Sequence, residues 1–167
     1  MSAKDEAQAR KAGRSKAAPR ISLAVQYAVG AATLPTPAAL RRWIRAAATR
    51  DAAVTLRFVG RREGRSLNAR YRGKAHATNV LAFVYDAAKR IEGDLVLCAP
   101  VLRQEAREQK TKLADHCAHL VVHGMLHLQG YRHDTDRVAR AMEARETAIL
   151  ALLGISDPYA SSIDATG

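Results

Sequence analysis

An α+β fold, with one mixed sheet of about four strands packed with about five or six helices, is predicted by three observations. Four short runs rich in apolar or β-branched residues, bounded by turn residues, punctuate residues 21–99. The stretches between and after them repeat apolar residues at intervals of three and four. Strands therefore come early and mingle with helices, and helices dominate beyond residue 100. No internal repeat points to a solenoid or a propeller.

The elements follow in order. "ISLAVQYAV" (21–29) alternates and is β-branched enough for a strand. "TPAALRRWIRAAATR" (36–50) places Pro37 at a helix start, with Leu40, Trp43, Ile44 and Ala47 on one face. "AVTLRFVG" (53–60) reads as a second strand. "REGRSLNARYR" (62–72) reads as a helix with Leu67 and Tyr71 four apart. "NVLAFVY" (79–85) and "GDLVLCA" (93–99) are two more strands. Residues 101–129 are helical, with an interruption near Gln109–Lys112. "DTDRVARAMEARETAILALLG" (134–154) is a last amphipathic helix, with Asp134 as its cap and Gly154 at its end.

Residues 1–20 carry six Lys or Arg against two acids, without apolar periodicity. They are expected to be a disordered basic tail, a solvated extension rather than an RNA-tethering arm. Residues 21–156 are expected to form a single domain, and 157–167 a loose C-terminal tail. The chain is 48% apolar but only 5% aromatic, so its core must be aliphatic. A net charge of +11 makes a polyanion the first partner to consider, nucleic acid or an anionic membrane surface. Neither an apolar leader segment nor a run of about 18 apolar residues is visible, and a soluble, cytoplasmic protein is expected. Cys98 and Cys117 lack a C-x-x-C pattern and read as reduced thiols, Cys117 as a small buried residue rather than a ligand.

Three of the six histidines fall within "HGMLHLQGYRH", residues 123–133. On a helix, His123 and His127 are about 40° apart and point the same way, one turn from each other. Gly130 lets the chain leave the helix and fold back, which brings His133 to the same point. Three neutral imidazoles with an open fourth position describe a catalytic Zn²⁺ site, here on a central helix. His116 and His119 fall near the same face and are read as non-ligands. The spacing also fits H-E-x-x-H-x-x-G-x-x-H, the zinc signature of metzincin proteases, at every position but one. Gly124 replaces the glutamate that serves as general base there, and a glycine cannot do that work.

"HGMLHLQGYRH" resembles the H-G-x-L-H-L-x-G-Y-D-H signature of the YbeY family, metal-dependent endoribonucleases of ribosomal RNA maturation. "SLNARYRGKAHATNVLAF" (66–83) resembles that family's L-N-x-x-Y-R … P-T-[DN]-V-L-S-F block, and "EGDLVLC" (92–98) its L-G-D-I-V-I strand. The similarity covers roughly residues 54 to 155. It implies a single-strand-specific RNA hydrolase acting in maturation of the small-subunit ribosomal RNA 3′ end and in ribosome quality control. Its partners would be RNA and the ribosome, with no DNA or membrane. It implies His123, His127 and His133 as ligands of one metal ion, usually zinc, and Arg72 as the functional arginine. Three departures stand out: Arg132 for the usual Asp, Ala77 for Pro and Ala82 for Ser. The first raises the question of which carboxylate orients a ligand histidine, with Asp134 and Asp136 as candidates.

The residues also argue for this chemistry directly. A phosphodiester under attack gathers negative charge on its non-bridging oxygens, and a planar guanidinium meets two of them at once. Residues 57–74 hold Arg57, Arg61, Arg62, Arg65, Arg70, Arg72 and Lys74 against Glu63, a phosphate-binding track. Two other functions compete: a metzincin-like protease, disfavoured by Gly124, and a ribosome-assembly RNA-binding factor with a structural metal. The attacking group, water or a ribose 2′-OH, is left open.

Overall fold

The computed structural model describes residues 17–160 apart from 75, 87 and 88. Four strands, β1 (Ile21–Tyr27), β2 (Ala52–Val59), β3 (Val80–Asp86) and β4 (Ile91–Cys98), alternate with or precede five helices. These are α1 (Pro37–Ala47), α2 (Arg61–Arg72), α3 (Ala99–Gln109), α4 (Leu113–Leu128) and α5 (Asp136–Leu152). The sheet order is β1-β2-β4-β3. β1, β2 and β4 run parallel, and β3 lies antiparallel on the edge beside β4. The expected mixed sheet and helix count are both present among the described residues.

The local chemistry explains the boundaries. Thr36 accepts the Ala39 N–H at 3.3 Å, and Pro37 opens α1 where its missing N–H does no harm. The interruption expected near Gln109–Lys112 is a reversal at Lys110, whose φ of 55° ends α3 three residues before α4 begins. The cap of α5 is Thr135 rather than Asp134: the Thr135 hydroxyl accepts the Val138 N–H at 3.4 Å, while Asp134 lies one residue too early. Of the expected basic tail, residues 1–16 lie outside the described residues, and Arg20 is tied to the sheet through Asp51.

Helix α4 is apolar nearly all round because it is covered nearly all round. Leu120, Val121, Val122, Met125, Leu126 and Leu128 are buried with Leu56, Phe58, Leu95 and Leu97 of the sheet in one cluster. Each such side chain stabilises the fold by roughly 1.5–3 kcal/mol. Helices α1 and α5 flank α4, which makes it the central helix of the molecule. The opposite sheet face is covered only in part. There α2 lies over a small cluster of Val59, Leu81, Val96 and Cys98. So α2 buries Gly64 and Asn68, and Tyr71, expected on its apolar face, is 58% exposed. The buried Asn68 donates to the His76 carbonyl at 2.6 Å and so pins the loop that follows α2. Cys98 and Cys117 are free, and Cys117 is buried, as expected; Cys98 is buried too. No described helix is long and apolar enough to cross a membrane.

Candidate metal centre

His123 and His127 sit one turn apart on the last half of α4, with ring centroids 4.6 Å apart. The helix ends as the spacing predicted. Gly130 takes φ 95°, a conformation open to glycine, and the Tyr131 N–H closes back on the Leu126 carbonyl at 3.0 Å. The chain then reverses and sets His133 against both rings, at 4.9 Å from His127 and 5.9 Å from His123. One nitrogen from each of the three lies within 4.8 Å of the others. His116 and His119 do not belong to this cluster.

The hydrogen bonds fix which nitrogens face inward. Nδ1 of His123 meets a carboxylate oxygen of Glu146. Nδ1 of His127 meets the Tyr131 carbonyl at 2.9 Å. Both partners can only accept, so both Nδ1 atoms carry the proton and the Nε2 lone pairs turn to the centre. Those two Nε2 atoms are 3.0 Å apart. Two bare nitrogens so close demand a positive centre, a shared proton or a metal ion. A third imidazole turned to the same point fits a metal ion, which uses three donors where a proton uses two. Burial, then the electrostatic influence of neighbouring His123, pushes the His127 pKa down to about 4, so this imidazole is neutral near pH 7 and free to ligate.

Glu146 is the residue that sequence reasoning missed. It is fully buried on α5 and accepts from His123, from His119 at 3.0 Å and from Tyr159 at 2.5 Å. Burial pulls its pKa up, but the hydrogen bonds from His119, His123 and Tyr159 outweigh it and bring the pKa down to about 2. The question raised by Arg132 has its answer here. The carboxylate that orients His123 is Glu146 in the interior of α5, not Asp134 or Asp136 near the start of that helix. Arg132 lines a different depression, with Asp134 and Val138. A signal for Glu146 was present: it shares the buried stripe of Met142, Ile149 and Leu150, where a carboxylate is out of place unless it is bonded. His119 and His116 serve similar networks. His119 joins Glu146 to Tyr159, and the buried His116 bonds Glu105 at 3.1 Å. Burial pulls the Glu105 pKa up as well, yet hydrogen bonds from His116 and Asn79 leave it below the usual carboxylate range.

The three histidines open on a cavity of about 460 Å³. Arg72, at the last position of α2, lines it, and its charge is one of those that lower the His127 pKa. Ala82 and Gly124 form part of the wall. A Cβ on Gly124 would lie 2.7 Å from a methyl of the fully buried Leu95, so α4 approaches β4 too closely for a larger residue without repacking. No fourth His, Cys, Asp or Glu joins the triad among the described residues. The site is thus open on the side where a substrate would approach.

The comparisons with known proteins fall on the same residues. A family model described as Endoribonuclease YbeY matches residues 36–154. The chain is 55% identical over 147 residues to the Endoribonuclease YbeY of Aromatoleum aromaticum, covering 86% of this chain and 96% of that one. It is 51% identical over 154 residues to that of Alkalilimnicola ehrlichii, covering 85% and 93%. A solution structure of a Thermotoga maritima protein shares the fold, with TM-score 0.51 and 21% identity, covering 78% of this chain and 91% of that one. The matched span runs from the cap of α1 to the end of α5 and takes in Arg72 and all three clustered histidines, so this chain belongs to the YbeY family of endoribonucleases.

Proposed function

We propose that this protein hydrolyses phosphodiester bonds of single-stranded RNA, in the cytoplasm, during maturation of the small-subunit ribosomal RNA 3′ end and ribosome quality control. One transition metal ion, zinc as the first candidate, would be held by His123, His127 and His133. The observation that carries this reading is the convergence of three imidazole nitrogens and Arg72 on one open cavity.

When bound, zinc supplies Lewis acidity and lowers the pKa of a water toward about 7. The chain supplies the rest. Glu146 and the Tyr131 carbonyl hold His123 and His127 in the tautomer that presents Nε2. Tyr159 and His119 fix Glu146 in turn. The Arg72 guanidinium can meet the non-bridging oxygens as their charge grows. Gly124 leaves no carboxylate where a metzincin keeps its general base, which speaks against peptide hydrolysis. An open triad likewise speaks against a purely structural metal, which would be closed by a fourth ligand.

The test is cleavage of a single-stranded RNA by the purified protein before and after chelation, with the product ends identified. Loss of cleavage on chelation and its return on adding zinc are expected. A 5′-phosphate would mark water as the nucleophile, and a 2′,3′-cyclic phosphate the ribose hydroxyl. Cleavage indifferent to chelation would overturn the proposal.

A further inference from the structure

The polar site leaves one surface unexplained. Tyr71 is 58% exposed and Tyr85 67%. Three of the chain's eight aromatic residues gather here: Tyr71 packs edge-on against Phe83 at 5.1 Å, and Tyr85, two residues after Phe83, bonds Asp94, the residue paired with Phe83 across the sheet. The remainder of the sheet explains the gathering. Leu81 and Phe83 alternate with Val80 and Ala82 along the edge strand β3, so they face α2 rather than α4. Helix α2 covers only part of that face. Tyr85 bonds Asp94 through its hydroxyl, which anchors the phenol and leaves the ring outside.

We infer that Tyr71, Phe83 and Tyr85 form a base-stacking platform for the single-stranded RNA whose backbone enters the cavity. Two arguments select this occupant. The first is continuity: Arg72 lines the cavity and directly follows Tyr71 at the end of α2, and the edge strand β3 turns Ala82 to the cavity and Phe83 to the platform, so the two sites meet around that edge. A strand with its phosphate at Arg72 would have its next bases at the edge of β3. The second is charge. Exposed Arg70, Arg72 and Lys74 flank Tyr71, and Arg62 and Arg65 lie further back on α2. A protein partner would be met by a mostly apolar patch with few like charges, whereas this patch is bordered on its α2 side by cations that suit a polyanion, the Asp94 carboxylate on its far side being bonded by Tyr85. Aromatic faces and backbone cations together are the usual means of holding a single strand without reading its sequence.

The inference rests on the proposed RNA activity, but its test does not require cleavage. Binding of the purified protein is measured by fluorescence anisotropy with two labelled 2′-O-methyl strands of equal length. One carries eight uracils, and the other carries abasic sugars throughout. The phosphate charge is the same in both. The base-bearing strand is expected to bind about tenfold tighter or more, since each stacked base is worth roughly 5- to 150-fold. Tyr71→Ala should remove most of that difference while leaving the abasic strand's affinity within about twofold. Tyr71→Phe, which keeps the ring, should retain it, and Tyr85→Ala should weaken only the base-bearing strand. Equal affinity of wild type for the two strands would overturn the platform. Equal weakening of both by Tyr71→Ala would overturn it too, as would no effect on either, which would leave the patch to a protein partner. If the RNA activity itself were wrong, chelation would leave cleavage unchanged or none would be seen, a result independent of the base preference.

Discussion

Arg72 is where the account is most exposed at the scale of single residues. It lines the same cavity as the three histidines and belongs to no ion pair among the described residues. If it meets the phosphate as charge builds, Arg72→Ala lowers the saturated single-turnover rate about 10²–10³-fold, as loss of one transition-state donor does. Metal content stays unchanged, and Lys in its place recovers only part of the rate. A saturated rate within about threefold of wild type would remove Arg72 from the chemistry. Glu146 yields a prediction of a different kind. Glu146→Gln keeps the shape but breaks the match to three donors, so zinc affinity falls about 10–100-fold, measured by competition with a chromophoric chelator. Tyr159→Phe should move affinity in the same direction by less. Unchanged affinity in both would mean that the buried carboxylate serves packing alone. Arg72 was legible through the Y-R pair, and the triad through its spacing. Glu146 was not found, because a carboxylate 23 residues from His123 shows its purpose only once α5 is folded onto α4.

The strands and helices were legible where period and breakers agreed. All four strands and five helices lie within a few residues of the runs that predicted them. The turn at Gly130 was legible because glycine alone enters that conformation freely. The exposed Tyr71 was not legible: four-residue spacing from Leu67 reads as a buried face, and only the narrow cluster beneath α2 shows otherwise. Cys117 illustrates what the fully covered central helix does to chemistry. Burial pushes its thiol up to about 12, and pushes the Cys98 thiol up as well. Neither should react with a disulfide reagent at pH 8 until the protein unfolds. The linkage has a definite sign. The folded pKa of Cys117 lies above the unfolded value near 9, so its contribution to stability is present below about pH 9 and lost as pH rises toward 12. Cys117→Ala should flatten that alkaline loss in a urea titration. Rapid labelling of the native protein would contradict the packing described.

At the scale of the whole molecule, the charge of +11 was legible as a polyanion preference, but its distribution needed the fold. The track over residues 57–74 is narrower than its count of cations suggested. Arg57 is spent on Glu63 at 2.7 and 2.8 Å, whereas Arg61 bonds only the neutral Gln104 at 2.9 Å and keeps its charge. Arg61, Arg62, Arg65, Arg70, Arg72 and Lys74 remain. If about six phosphates of a single strand are met, log K against log salt should slope near −0.7 × 6, about −4. A flat dependence would remove the track.

The central claim is that one metal ion held by His123, His127 and His133 is what cuts RNA. The most direct measurement is metal content per chain together with single-stranded RNA cleavage, for wild type and His127→Ala. One transition metal ion per chain in wild type is expected, with metal and cleavage lost together in the variant. Full metal occupancy or undiminished cleavage in His127→Ala would contradict the account.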